Sequence, residues 1–290
     1  MIPALDYIKP NTLDEALEVL HQNRSGAKII AGGTDIIPGL QQGSSRFKDI
    51  NLLVDLSRVK EFWIIEKRND KIVLGAGINF SDVASNKLLN ERYPLLAKAA
   101  STVGSLQIRN RATLVGNFTN NAPCADSVPP LLVYNALIKI QSLLSVREIS
   151  LQEFLLGPYK TQLKNDEVIT EILLPIPDKN LKGEFYKLGR RRAVSISRIT
   201  LAILASVSNS FFDEIRIASG AVTPIGKRFY NIEKFALGKI SQTGTFKEIA
   251  MELGKEVLEL TGLRWSSAYK LPVVQQMIYQ LLERNYGNHK

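Results

Sequence analysis

The sequence has one cysteine, Cys124, and two histidines, His21 and His289, in 290 residues. A single cysteine excludes an internal disulfide framework, and it also excludes an iron–sulfur cluster carried by this chain alone. Two histidines leave little for a zinc site or a histidine-based triad. His21 falls in a helical pattern and His289 stands one residue from the C-terminus, so both read as structural or incidental. No apolar run approaches the length that spans a bilayer. The opening "MIPALDYIKP" lacks the basic-then-apolar order of a signal peptide, which makes the cytoplasm the expected location. Familiar nucleotide and hydrolase motifs are missing too. "GAGINF" at Gly75 has G-x-G, but Phe80 stands where the third glycine belongs. "GAVTPIGKR" has the wrong spacing for a Walker loop and no Ser or Thr after Lys227. No serine sits in G-x-S-x-G. Any redox chemistry must therefore come with a bound organic cofactor.

What is present is ordinary globular material, 45% hydrophobic and 22% charged, with a formal charge of +9. The basic residues are spread along the chain, and the one dense cluster, Gly189 to Ala193, is short. This reads as a solvated or partner-facing surface rather than a nucleic-acid site, with anionic small ligands as the remaining option. Thr12 and Glu15 form a T-x-x-E capping box ahead of Ala16, Val19 and Leu20, which predicts an opening helix. Strands are expected at Ala27 to Ala31, Asn51 to Leu56 and Lys71 to Gly77, with "EKRND" a polar turn before the third. Helices are expected over Ser81 to Leu89 and from Pro94 to about Val103, stopped by Gly104. "ATLVGNFTNNAPCADSVPP" follows neither regular period. A hairpin (Leu137 to Ile140, Val146 to Ile149) and a strand (Val168 to Leu174, ended by Pro175) come next. The last third alternates strands, Ile199 to Val207 and Glu214 to Ala218, with helices near Tyr230, Lys247 and Ser267. Mixed order without steady βαβ alternation predicts an α+β fold, with boundaries near residues 57 and 176.

Two glycine loops stand out as built alike. One is Ala31-Gly32-Gly33-Thr34-Asp35; the other is Thr113-Leu114-Val115-Gly116-Asn117, continuing to Asn120, Pro123 and Asp126. Successive N–H groups in a tight glycine turn form an anion-binding concavity, and a missing Cβ lets a pyrophosphate touch the main chain. Glycine turns are usually only turns. Two of them, in different parts of the chain, suggest a dinucleotide clamped between them.

"AGGTDIIP", "QIRNRATLVGNFTNNAPCADSVPPLL", "DEVITEILLPIP", "RIASGAVTP" and "RWSSAYK" resemble, in order and spacing, the FAD-binding medium subunit of the molybdenum hydroxylases. This is the xanthine dehydrogenase, aldehyde oxidoreductase and carbon monoxide dehydrogenase family, and the likeness runs from about Pro3 to Arg284. The resemblance implies an FAD-binding fold of the vanillyl-alcohol-oxidase (PCMH) type in two subdomains, 1–57 and 58–175. A C-terminal α+β domain of the CO-dehydrogenase flavoprotein type, 176–290, would follow, with FAD extended between the parts. By the same resemblance the cofactor-binding residues are Ala31, Gly32, Gly33, Thr34, Asp35 and Ile36 from the first loop, and Thr113, Gly116, Asn117 and Asn120 from the second. It adds Gly104 lining the cleft, Asp126 deeper in the site, Ile169 beside the flavin and Lys187 near its ring. No catalytic or metal-binding residue is expected in this chain.

One departure is Val115, where the family reads glycine in T-I-G-G-N. Either the loop keeps a β-region backbone with Val115 turned to the core, or FAD is held less tightly. Plain structural roles remain open beside the ligand roles: Asp126 as an N-cap before Pro129-Pro130, Asp35 as a cap toward Pro38, and Lys187 and Arg190 to Arg192 as partner-facing, with only Lys187 assigned to the flavin. Cys124 has no basic neighbour to make it reactive.

The resemblance further implies an oxidoreductase subunit that accepts electrons from the iron–sulfur clusters of a small subunit, fed by a molybdopterin site in a large one. It would pass them to an external acceptor, as part of a dimer of heterotrimers. Lys187 would favour the anionic reduced flavin. No attachment residue is suitably placed, so FAD is expected to be non-covalent. The alternatives are a stand-alone flavin oxidase of the same fold and a non-catalytic assembly subunit that has lost FAD.

Overall fold

The computed structural model describes residues 4–23, 25–191 and 193–287, so Arg192 and His289 lie outside the described residues. In chain order the elements begin with β1 (Asp6–Ile8), α1 (Leu13–Gln22), β2 (Ala27–Ile30), α2 (Ile36–Gln41), β3 (Leu52–Asp55), β4 (Ile65–Arg68) and β5 (Lys71–Gly75). Helices follow: α3 (Phe80–Ser85), α4 (Lys87–Arg92), α5 (Pro94–Ser101), α6 (Leu106–Arg109), α7 (Leu114–Asn120) and α8 (Val128–Val133). Next are β6 (Leu137–Gln141), β7 (Val146–Ser150), α9 (Leu151–Phe154), β8 (Leu155–Gly157), β9 (Lys160–Thr161) and β10 (Val168–Pro175). The chain then runs through β11 (Lys182–Gly189), β12 (Ser197–Ser208), β13 (Phe211–Gly220), β14 (Lys227–Arg228), α10 (Tyr230–Ala236), α11 (Thr243–Thr261) and α12 (Ser267–Tyr286). The class is α+β, as expected.

Two compact units divide the chain, and neither is continuous. The first comprises Met1–Ser85, Ser105–Asn121 and Asn135–Ile176; the second comprises Asn86–Gly104, Ala122–Tyr134 and Pro177–Lys290. Contact units therefore do not follow the linear ranges 1–57, 58–175 and 176–290, because two middle segments belong with the C-terminal portion.

In the first unit, β1, β3 and β2 form a parallel sheet with β3 central. Helix α1 lays Ala16, Leu17 and Leu20 on it, against Leu52, Val54 and Leu56. The burial of these i, i+1 and i+4 positions, rather than helix propensity, holds a ten-residue helix in place. Thr12 caps α1 by accepting from the Glu15 N–H at 3.2 Å, but Glu15 reaches back to the N–H of Asn11, at 2.7 Å, one residue earlier than a capping box requires. The second sheet is antiparallel, in the order β4-β5-β10-β6-β7. Most of "EKRND" is strand rather than turn: Glu66 to Arg68 pair with Lys71 to Val73, and Asn69 alone takes the left-handed conformation, φ +52°. The G-x-G of "GAGINF" is explained by packing, since a Cβ at Gly75 or Gly77 would lie 2.5 or 2.9 Å from the Phe62 carbonyl oxygen.

In the second unit an antiparallel sheet, β11-β12-β13-β14, buries both faces of β12 from Ile199 to Ala205. Ile199, Leu201, Ile203 and Ala205 share a core with Phe246, Ile249 and Leu253 of α11 and Val274, Ile278 and Leu281 of α12. The long helix predicted over Ser81 to Leu89 is broken. Asn86 ends α3 and caps α4, its Oδ1 accepting from the Leu89 N–H at 3.1 Å. Strand β11 was missed because "KGEFYKLG" has a mixed exposure pattern and few β-branched residues.

Candidate functional site

The first glycine loop connects β2 to α2. Gly33 has φ +73°, a conformation that L side chains adopt at a cost. Its carbonyl accepts from the Ile37 N–H at 3.1 Å, turning the chain into α2. The N–H groups of Gly32, Gly33, Thr34, Asp35 and Ile36 have no acceptor among the described residues. Five consecutive unpaired N–H groups around a left-handed glycine form an anion-binding nest. The two glycines serve different ends. A Cβ at Gly32 would lie 2.0 Å from the Arg111 carbonyl oxygen, so the chain's own backbone excludes a side chain there. Gly33 is required by its φ.

Asp35 stands at the N-cap position of α2, yet its side chain makes no capping hydrogen bond, so the cap reading fails. Burial pushes its carboxyl above the ordinary value, and the guanidinium of Arg46 pulls the other way. Ala31 precedes the nest, and Ile36 is buried beneath it with Leu40, Phe47 and Leu53.

The second loop is not a second nest. "TLVGNFTN" is helix α7, with Thr113 as its N-cap: the Thr113 hydroxyl accepts from the Gly116 N–H at 2.9 Å, and its carbonyl from the Asn117 N–H at 3.1 Å. Gly116 fits this cap, since a Cβ there would stand 3.0 Å from Thr113 Oγ1. Val115 does turn to the core, where it packs against the cluster of Leu17 and Val54, but on a helical backbone rather than a β one. The irregular reading failed because a seven-residue helix with Val, Gly, Asn and Thr has weak propensity throughout; capping and packing decide it. Asn120 ends α7, and its Oδ1 accepts from Nη2 of Arg46.

Ile169 is buried in β10 at 3% exposure, opposite Ile140 of β6, beside a bulge between Ile169 and Glu171. Ala31 to Ile36, Thr113, Gly116, Asn117, Asn120 and Ile169 all belong to the first unit. Gly104, Asp126 and Lys187 belong to the second.

In that second unit Gly104 follows α5 at φ +44°. Lys187 of β11 donates to Asp126 Oδ2 at 2.6 Å and to the Thr102 carbonyl at 2.9 Å. Ser197 of β12 donates to the other Asp126 oxygen. Both charged side chains are about nine-tenths buried. Burial pushes the Asp126 carboxyl up, while Lys187 and then Ser197 hold it down. Asp126 is not the N-cap of α8; Ser127 is. The charge of Lys187, expected from the sequence to favour the anionic reduced flavin, is thus balanced at contact distance by Asp126. The sequence reading also missed Ser197 and Arg46. Ser197 carried no signal beyond its place at the head of a buried strand, and Arg46 none beyond an exposed basic residue.

The fold defines a two-unit α+β protein with a glycine nest between a parallel-sheet strand and a short helix. Residues 3–177 match the model of the FAD binding domain in molybdopterin dehydrogenase, and residues 184–284 match the CO dehydrogenase flavoprotein C-terminal domain. The chain belongs to this family of FAD-binding dehydrogenase subunits. It is 29% identical over 283 residues to the xanthine dehydrogenase FAD-binding subunit of Escherichia coli O157:H7, covering 97% of this chain and 96% of that one. It is 28% identical over 273 residues to the glyceraldehyde dehydrogenase medium chain of Sulfolobus acidocaldarius, covering 94% and 95%. Among solved structures, a carbon monoxide dehydrogenase from Hydrogenophaga pseudoflava, in a form lacking the Mo-pyranopterin moiety, superposes with a TM-score of 0.90. Identity there is 26%, over 98% of this chain and 97% of that one. Among the described residues no helix is long and apolar enough to cross a membrane.

Proposed function

We propose that this chain is the FAD-carrying electron-transfer subunit of a molybdenum hydroxylase. The complex would contain a large molybdopterin subunit and a small iron–sulfur subunit, assembled as a dimer of heterotrimers in the cytoplasm. Residues 1–57 and 58–175 together make the FAD-binding portion, and 176–290 the C-terminal flavoprotein portion. When bound, FAD supplies the redox chemistry, taking electrons from the iron–sulfur partner and passing them to an external acceptor. Binding is non-covalent: His21 lies on α1, and Cys124 has no basic neighbour in sequence to activate it.

The observation that carries this reading is the nest. Five unpaired N–H groups, the Thr34 hydroxyl and a left-handed Gly33 fit a pyrophosphate, which needs many short donors and no bulky side chain. Around it, Thr113, Gly116, Asn117 and Asn120 frame the neighbouring helix end. Gly104, Asp126, Ile169 and Lys187 complete the cofactor contacts carried over from the family. Lys187 and Asp126 enter as one neutral, hydrogen-bonded unit that offers dipoles rather than net charge.

Purification of the native complex, with partner chains identified by mass, tests the assembly. The isolated chain loaded with FAD should be bleached by dithionite yet show no turnover of aldehydes or purines. Acid precipitation should leave the flavin in the supernatant. Robust substrate turnover by the isolated chain, or flavin fluorescence retained in the pellet, would sink the corresponding part of the proposal.

A further inference from the structure

The geometry points to Arg46 as the cation of the FAD site, taking a phosphate oxygen of the pyrophosphate that the Gly32–Ile36 N–H groups cradle. This rests on the reading of the nest given above and adds a residue that the family motifs do not name. Arg46 lies in a short 3₁₀ turn, Ser45–Phe47, that packs against α2. The Phe47 ring fills the place of a side chain at Gly39, where a Cβ would meet Phe47 Cε2 at 2.2 Å. The backbone of Arg46 is thereby tied to the helix that opens from the nest.

The guanidinium is held on three sides. Nη2 donates to Asn120 Oδ1 at the end of α7. The Tyr159 ring centroid lies 4.1 Å from Cζ, and that of Phe47 5.0 Å. No carboxylate among the described residues pairs with it, and its remaining donors are open. An arginine fork with spare donors, on a turn packed against α2 and with its field reaching Asp35 of the unpaired N–H row, suits a phosphate better than any neutral ligand.

Tyr159 shows what this placement costs. It sits at φ +59°, strained for a bulky residue. The turn that bears it is fastened to the end of α7. The Tyr159 N–H donates to the Asn121 carbonyl at 3.0 Å, and Asn121 Nδ2 donates to the carbonyls of Gly157 at 2.7 Å and Lys160 at 3.1 Å. The strained turn sets the ring against the guanidinium, which makes Tyr159 a positioning residue. The charge is needed because Asp35, inside the nest, opposes an anion, and Arg46 is the group whose field acts on it.

The test titrates the flavin-free full chain with FAD at low and high salt, in wild type, Arg46→Met, Arg46→Lys and Tyr159→Ala, with riboflavin as the phosphate-free probe. Arg46→Met should weaken FAD roughly 10- to 100-fold at low salt, by loss of a charge-assisted contact. The difference should shrink at high salt while riboflavin binding stays as in wild type. Arg46→Lys should recover part of the loss. Tyr159→Ala should lose part of it, and its effect should vanish in the Arg46→Met background. FAD affinity of Arg46→Met equal to wild type at low salt, or equal losses for FAD and riboflavin, would overturn the assignment and leave the nest intact. If wild type itself binds no FAD, the reading of the nest falls with it. Should Arg46→Met fail to fold, the salt dependence of Arg46→Lys decides.

Discussion

Replacing Gly33 by Asn, Ala and Val separates conformation from bulk in the nest. At φ +73° an alanine costs about 1–2 kcal/mol, asparagine less because it visits the left-handed region, and valine up to about 3 kcal/mol. Steric contact adds little, for a Cβ would meet only side-chain atoms, Ile30 Cδ1 and Ile37 Cγ1, each at 3.3 Å. The substituted loop therefore has two courses. It can keep the left-handed turn and lose stability, or relax to negative φ and swing the N–H groups out of register. The Ile37 N–H to Gly33 carbonyl bond is single and near the surface, so relaxation is the cheaper course. FAD affinity should then fall in the order Gly, Asn, Ala, Val, by about tenfold for alanine and about a hundredfold for valine. Calorimetric titration of the flavin-free protein measures this, and circular dichroism checks that each variant is folded. A folded valine variant that binds FAD as tightly as wild type would falsify the nest.

Other perturbations test other parts. Asp126→Asn leaves the buried Lys187 charge with neutral acceptors only and should cost about 3–5 kcal/mol, read as a lower urea midpoint, with much of the loss recovered in Asp126→Asn/Lys187→Met. An Asp126→Asn variant as stable as wild type would contradict the balanced pair. Glu167 is buried, which works against ionisation, but its two-point bond to Arg147 and the Lys164 N–H hold its pKa below the ordinary 4.5. Its stabilising effect is therefore present above pH 4.5 and lost as pH falls through the lowered value, and Glu167→Gln should flatten that part of the acid-unfolding curve. Val115→Gly, which restores the family's glycine, should cost about 1–2 kcal/mol in helix propensity and packing. FAD affinity should not change, and a gain in affinity would mean that the valine obstructs the ligand.

Several things could be read without coordinates. The opening helix, β2, β5, the β6–β7 hairpin, β10 and the three C-terminal helices all follow from periodicity or turn chemistry, because each depends on burial of a regular face by local sequence. Gly33 was legible for the same reason: a left-handed turn demands glycine wherever it occurs. Composition alone set a further limit, since one cysteine cannot hold a cluster whatever the fold. Tertiary structure decided the rest. The second loop became a helix because Thr113, directly before it, caps it and because Val115 has a core to enter, built by Leu17 and Val54 far off in sequence. Gly32 owes its missing side chain to the backbone of Arg111, 79 positions along the chain. Lys187 met its counter-charge in an aspartate on a distant segment, and Arg46 gained its place from Asn120 and Tyr159. Period and turn chemistry are properties of a window of residues. Charge balance, close approach and the direction of a donor depend on what the folded chain brings alongside, and that is settled only when each unit has folded.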